Sequence, residues 1–293
     1  MRGWFYRLAL GAVIGWFALT NSASALDKPK LAIIIDDLGY NLPLGKRTAQ
    51  LPGAFTLAVL PLTPHGRELA NLAHRQGKEV MLHVPMSNHH QYPLGKGALV
   101  TGMKRAEFIT VLRRGLADVP HVKGVNNHMG SLLTEQAEPM GWLMQELQSR
   151  QLYFVDSRTS VRTQALIEAE RIQLPSRRRD VFLDDTRDKS LIEQQVLLAI
   201  RKARRQGFAI AIGHPYPETL EVLKRIKPLL KNYDVELVPV SALMPGFARQ
   251  STKIAACTAP PMHLWPRIWV PVNPFDKELV ELPEQFWITR SKK

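Results

Sequence analysis

The amino-acid sequence predicts an α/β fold of seven to eight parallel strands, closed or nearly closed into a (β/α) barrel. Short apolar, β-branched runs recur along the chain, the pattern of strands buried on both faces. Helical patterns separate most of them, which implies parallel pairing through right-handed crossovers. Seven or eight such units in roughly 220 residues fit one large domain of this kind. The runner-up is a doubly wound open sheet, but the chain has no dinucleotide or P-loop glycine fingerprint to favour it.

In chain order, residues 1–25 read as a secretory leader. Arg2 and Arg7 supply the positive start, residues 8–19 an apolar core too short for a membrane span, and Ala23-Ser24-Ala25 a cleavage site. The expected location of the mature chain is therefore the periplasm, with no transmembrane span after cleavage; an uncleaved anchor is the alternative. Strands are expected at 31–36, 55–60, 80–84, 122–126, 152–156, 181–184, 209–213 and 235–240. Helices are expected at 104–117, with Phe108, Ile109, Leu112 and Leu116 on one face, and at 139–149, with Leu143 and Leu147. Ser190 and Glu193 form a capping box that opens a helix to about Arg205. Residues 218–230 carry Leu220, Leu223 and Ile226 at helical spacing. The barrel domain thus spans 30–245. Residues 246–293, with six prolines from Pro260 onward and Trp265, Trp269 and Trp287, read as an irregular tail.

The net charge is +13, or +11 once Arg2 and Arg7 leave with the leader. No basic stripe interleaved with aromatics is present, so a nucleic-acid partner is not expected. Attraction to an anionic envelope surface is one reading of the charge, and general solubility the other. Arg177-Arg178-Arg179 reads most simply as a solvated loop. The one cysteine, Cys257, has no partner for an intramolecular disulfide, so the fold must rest on its core.

Polar residues gather at the strand ends. The first strand ends at Asp36-Asp37, the third at His83, the fourth at Asn126-Asn127-His128, the fifth at Asp156-Ser157, the sixth at Asp184-Asp185 and the seventh at His214. Parallel strands share a C-terminal face, so all of these converge on one mouth. Two adjacent carboxylates are costly to bury unless they hold a cation or share a proton. One Asp and two His make a common site for Zn²⁺ or another divalent metal, with open positions for water and substrate. Asp37, His83 and His128 are the candidate ligands, Asp36 the base and His214 the acid. Asp156 is a further catalytic candidate, as an orienting group, and is equally readable as a cap. Asp184-Asp185 reads first as a cap of the following loop or helix. His65, His74, His89, His90, His121 and His263 lack this context and read as surface or loop residues, His89 and His90 least clearly because they follow His83 closely.

Several segments together carry a family resemblance. Ile34-Ile35-Asp36-Asp37-Leu38-Gly39-Tyr40 resembles the T-F-D-D-G motif of polysaccharide deacetylases, and Gly77-Lys78-Glu79-Val80-Met81-Leu82-His83 resembles their G-H-E-I-x-N-H segment. With Val84-Pro85-Met86, Asn126-Asn127-His128-Met129-Gly130-Ser131, Phe154-Val155-Asp156-Ser157 and Ile212-Gly213-His214-Pro215, the set closely resembles the divergent polysaccharide deacetylase family over about residues 30–245. The resemblance implies a distorted, deacetylase-like (β/α) barrel and metal-dependent removal of N- or O-acetyl groups from glycans. It implies that Asp36 is the base, that Asp37 and His83 bind metal, and that His214 is the acid. The ordinary deacetylases have H-x-x-x-H, but Ser87 stands where their second histidine would be, and His128 is the candidate replacement. The expected function is an exported, metal-dependent hydrolase of an acylated envelope polysaccharide or peptidoglycan-like substrate. The alternative is a non-catalytic envelope barrel that binds glycan or protein, and a weaker third reading is hydrolysis of another bond, such as a phosphoester.

Overall fold

A computed structural model describes residues 28–247. The expected leader and the expected tail beyond Phe247, with Cys257 and His263, lie outside the described residues. The elements run β1 (Lys30–Leu38), α1 (Leu42–Ala49), β2 (Thr56–Val59), α2 (Gly66–Arg75), β3 (Glu79–Met86), α3 (Arg105–Asp118), β4 (Val122–Met129), α4 (Ala137–Ser149), β5 (Tyr153–Asp156), α5 (Ala165–Arg171), β6 (Ser176–Arg178), β7 (Val181–Phe182), α6 (Lys189–Gln206), β8 (Phe208–Gly213), α7 (Pro217–Lys224), α8 (Ile226–Asn232) and β9 (Glu236–Leu237). No helix among the described residues is long and apolar enough to cross a membrane.

Every strand pairing is parallel, in the order β6-β5-β4-β3-β2-β1-β8-β7, with β9 beside the start of β1. The strands at the two ends of that order, β6 and β7, are separated in the chain only by Arg179 and Asp180. The Arg179 N–H donates to Asp156 O of β5, and the Asp180 N–H donates to Ile210 O of β8. Two residues therefore step across the seam and curl the sheet into a nearly closed barrel, as the strand–helix alternation predicted.

Side chains alternate between the two faces of each strand. In β1, Leu31, Ile33 and Ile35 pack in the larger cluster with the helices, while Ala32 and Ile34 join Ala58, Met81, Tyr153, Val155, Ile210 and Ile212 in a smaller one inside the barrel. Gly124 leaves room for the Tyr153 ring, since a Cβ there would lie 2.2 Å from it. The N-terminal end of the barrel is closed by the 3-10 turn Val240–Leu243. The Val240 N–H donates to Thr56 Oγ1, while Glu79 Oε1 accepts from Thr56, from the Tyr153 hydroxyl and from the Ser241 N–H.

Several elements differ from expectation. The fourth strand runs to Met129, so Asn126, Asn127 and His128 lie within it rather than after it. Helix α6 is capped by Asp188, whose carboxylate accepts the Leu191 N–H at 3.0 Å, and not by Ser190. The expected helix over 218–230 breaks at Arg225 into α7 and α8. Pro228 has no N–H for the continuing helix, and its ring would meet the Lys224 carbonyl. The last strand stops at Leu237, before Pro239. Arg177-Arg178-Arg179 is not a solvated loop: Arg177 and Arg178 belong to β6. Arg177 lies 4.2 Å from the Phe208 ring and donates to Leu243 O, and Arg179 lies 5.1 Å from the Phe182 ring and donates to Ser157 O and Arg158 O.

Candidate metal centre

The alternation that fills the barrel with apolar side chains places polar ones at its mouth. Following Ala32 and Ile34 on the interior face comes Asp36; following Met81 comes His83; following Gly124 come Asn126 and His128; following Ile210 and Ile212 comes His214. Asp37 is out of this register. The pairing of β1 with β2 shifts between Ile35 and Leu38, and Asp37 takes a left-handed φ of 58°. That irregularity brings both carboxylates to the same opening. Gly39 then turns the chain away with φ 138°, tight enough that a Cβ would lie 2.1 Å from Thr63 Oγ1.

Three groups converge. Asp37 Oδ1 lies 2.8 Å from His128 Nδ1 and 3.2 Å from His83 Nε2, and the two ring nitrogens are 3.2 Å apart. A tetrahedral zinc site with arms of about 2.0 Å has ligand–ligand edges of about 3.3 Å. Asp37 Oδ1 is buried, yet neither imidazole meets it as a hydrogen bond of good geometry. Three acceptor atoms aimed at one another in this way suit a shared cation, and Asp37, His83 and His128 are the group among the described residues that could hold one.

Neighbouring groups fix the orientation of each member. Asn126 Nδ2 donates to Asp36 Oδ1 at 2.9 Å, so its Oδ1 accepts from His83 Nδ1 at 2.8 Å. That hydrogen bond puts one His83 proton on Nδ1 and makes Nε2, which faces Asp37, the nitrogen that a cation could take. His83 Nε2 is also 3.6 Å from Asp36 Oδ2. On the opposite side, His214 Nδ1 donates to Asp184 Oδ1 at 2.9 Å, and His214 Nε2 faces Asp37 Oδ2 at 3.7 Å. Asp184 is buried; its Oδ2 also accepts the His214 N–H at 2.6 Å and the Thr219 hydroxyl at 2.7 Å. Asp184 is therefore the carboxylate partner of His214, where the sequence suggested a cap.

Electrostatics separate the two adjacent aspartates. Burial raises the pKa of Asp36, against the lowering charges of His83 and His214. Burial opposes ionisation of Asp37 too, but the His128 and His83 rings outweigh it and hold Asp37 well below the usual carboxylate range. For His83, burial favours the neutral ring, and Asp36 and Asp37 overcome it and push the pKa up to about 9. His214 is likewise raised against its burial, first by the bond to Asp184.

Of the residues expected from sequence, Asp36, Asp37, His83, His128 and His214 come together. Asp156 does not join them. It shares the helix-facing side of β5 with Phe154, and its Oδ1 accepts the Arg158 N–H at 2.8 Å. Ser87 points away as well: its Oγ accepts the Thr101 N–H at 3.1 Å, and its carbonyl accepts from Leu132 and Leu133. Asn126, Asp184 and Arg179 were missed as site residues. The charge of Arg179 acts on both Asp156 and Asp36, although its guanidinium is spent on the two carbonyls of the Ser157-Arg158 turn.

A parallel barrel with an Asp/His/His group at its mouth that could hold a metal, flanked by one carboxylate and one imidazole–carboxylate pair, defines a class of α/β proteins. Comparison with known proteins narrows this class. The model of the divergent polysaccharide deacetylase family matches residues 33–244, and the chain belongs to that family. It is 40% identical over 232 residues to uncharacterized protein YibQ of Escherichia coli (strain K12), covering 79% of this chain and 72% of that one. It is 36% identical over 195 residues to an uncharacterized protein of Haemophilus influenzae (strain ATCC 51907 / DSM 11121 / KW20 / Rd), covering 67% and 70%. Among solved structures, uncharacterized protein ATU2773 from Agrobacterium tumefaciens C58 aligns with a TM-score of 0.72 at 25% identity, over 75% of this chain and 91% of that one.

Proposed function

We propose that the chain is a metal-dependent hydrolase that removes acyl groups, acetyl foremost, from an envelope glycan. The observation that carries this is the triangle of Asp37 Oδ1, His83 Nε2 and His128 Nδ1, with Asp36 on one side and His214 on the other. In this reading Asp37, His83 and His128 hold a divalent cation, zinc by the donor set. When bound, such an ion supplies Lewis acidity toward an acyl carbonyl and toward water. Asp36, held by Asn126, takes the proton of the attacking water. His214, with its Nδ1 proton held by Asp184, gives its Nε2 proton to the departing sugar nitrogen or oxygen. The glycan substrate is proposed from the family, and its envelope location from the secretory pattern of residues 1–25.

The test combines metal content with turnover. His83→Ala and His128→Ala should each lose most bound zinc by plasma emission spectrometry while circular dichroism stays native. Asp36→Asn and His214→Ala should keep zinc and lose about 10²- to 10⁴-fold in acyl release from acetylated glycans. Full zinc occupancy in His128→Ala would remove His128 from the ligand set. Glycan binding with no turnover, whether zinc, cobalt or manganese is added, would replace the enzyme by the non-catalytic binding barrel, the reading that Ser87 in place of the second motif histidine favours.

A further inference from the structure

We propose that the N-terminal end of the barrel, opposite the candidate centre, docks on the anionic headgroups of a lipid bilayer. The proposal does not rest on the hydrolase reading. In a parallel barrel the strands start, and the covering helices end, at one face. That face collects Arg75 at the end of α2, Arg204 and Arg205 in the last turn of α6, and Lys231 near the end of α8. Lys28 lies just before β1, and Lys227 is the second residue of α8. All six are exposed.

Contacts join these residues into one patch. The Lys30 N–H donates to Gly207 O, directly after α6, and the Glu236 N–H of β9 donates to Pro29 O, so the Lys28 segment runs between the end of α6 and β9. Arg204 lies 5.8 Å from the ring of Tyr233, in the turn between α8 and β9. Burial, and after it the charge of Lys227, lowers the pKa of Lys78 at the start of β3. Asp234 and Glu236 oppose the patch, but Asp234 is taken by Lys28 at 2.7 Å. The other five cations have no ion-pair partner among the described residues. The remainder of the face is different: at the end of α4 Arg150 pairs with Glu146, and at the end of α5 Arg171 pairs with Glu168.

Cations in a last helical turn are ordinary, because they complement the helix dipole. That accounts for Arg75, Arg204, Arg205 and Lys231. It does not account for Lys28, which lies outside any helix, or for Lys227, placed at a helix start where the dipole disfavours a cation. Like charges held together against local preference fit a face whose field an anionic surface completes. The cations are spread over α2, α6, α8 and the chain entry rather than aimed at one point, which suits a layer of headgroups better than one small anion. Tyr233, half-buried beside Arg204, is a residue type that settles at headgroup level. The leader pattern of residues 1–25 also leads into this face, at Lys28. Docked in this way, the barrel turns Asp37, His83 and His128 away from the bilayer.

Co-sedimentation of the full chain from Leu26 with vesicles of phosphatidylglycerol and phosphatidylethanolamine, and with vesicles of phosphatidylcholine alone, tests this. The chain should bind the anionic vesicles and leave them in about 1 M salt, where the screening length is about 3 Å. One cation near an anionic surface is worth about fivefold in affinity, so the pairs Lys227→Gln with Lys231→Gln and Arg204→Gln with Arg205→Gln should each weaken binding by about 25-fold. Circular dichroism should stay native in both. Lys96→Gln with Lys104→Gln removes the same charge from the segment between β3 and α3, at the mouth end, and should bind as the wild type does. Equal losses in all three pairs would mean that net charge alone acts, and would overturn the docking face. Unchanged binding in both patch pairs, equal binding to phosphatidylcholine vesicles, or displacement by polyglutamate at matched charge overturns it as well.

Discussion

At the scale of single residues, the candidate site is built from interior-facing positions at the ends of β1, β3, β4 and β8, with Asp37 brought to them by the irregularity at the end of β1. Asp184, two positions after Phe182, continues the same face beyond β7 and reaches His214. Asp184→Asn would present an amide where His214 Nδ1 needs an acceptor, and could hold the ring in the wrong tautomer. Turnover should fall by at least about 10²-fold with zinc retained. Asp156→Asn removes a carboxylate that shapes the turn at Arg158, and should cost turnover much less; equal losses in the two variants would return Asp156 to the site. Asn126→Leu breaks both the Asp36 and the His83 contacts, and should weaken zinc binding by about 10- to 100-fold, read by competition with a chelator. That five of the six expected residues would meet at one mouth was legible because acidic and imidazole side chains rarely end so many apolar runs by chance. Setting Asp156 apart from them needed the alternation carried one step further. Counting by twos from Ala32, Met81 and Ile210 selects Asp36, His83 and His214, whereas Asp156 falls in step with Phe154, on the other face. Asn126 is the Cα partner of His83 across β3 and β4, and that register appears only once strands are paired.

At the scale of elements, helices α3, α4 and α6 and most apolar strands could be read from periodicity to within a residue or two, while β4 runs three residues past its expected end and the last strand stops three short. The short pieces could not. Helices α1 and α5, of eight and seven residues, and strand β6, of three, contain too few positions for a period to show. The cap of α6 was misplaced because Ser190 and Glu193 match a capping box, while Asp188 two residues earlier has the extended backbone a cap requires. Asp188→Ala should cost about 1 kcal/mol and lower Tm by about 2–4 °C in scanning calorimetry, with Ser190→Ala much closer to wild type. The loops after β3, β4 and β5 are joined by Glu135, whose pKa the Ser160 hydroxyl and Arg162 pull from 4.5 to about 2. Because the folded value is the lower one, ionised Glu135 stabilises the protein at pH above 4.5, and that contribution fades as pH falls toward 2. Glu135→Gln should therefore melt below the wild type at neutral pH, and the two Tm curves should approach each other between pH 4.5 and 2. A constant separation across that range would mean that the charge of Glu135 contributes nothing.

At the scale of the whole molecule, an ion held by three strands should stabilise the entire barrel. Zinc at about 100 times its Kd adds about 2.7 kcal/mol, which for a domain of this size is a rise in Tm of about 5–10 °C over the chelator-treated protein. His128→Ala should show no such rise. Export is tested on cell-envelope protein by N-terminal sequencing, which should begin at Leu26; an intact Met1 on membrane-embedded protein would point to the uncleaved anchor. The strand order has a consequence for how the chain acquires its structure. β1 lies next to β2 along one edge and β8 along the other, and its Lys30–Ile35 stretch meets a partner, Phe208–Gly213, that is synthesised 178 residues later. Until that partner emerges, the run Leu31-Ala32-Ile33-Ile34-Ile35 has one unpaired edge, and contacts so distant in sequence form slowly. The nascent chain thus carries its most adhesive segment first and shelters it nearly last, so chains truncated before Phe208 should aggregate rather than fold, and efficient production should depend on chaperones that cover that segment in the meantime.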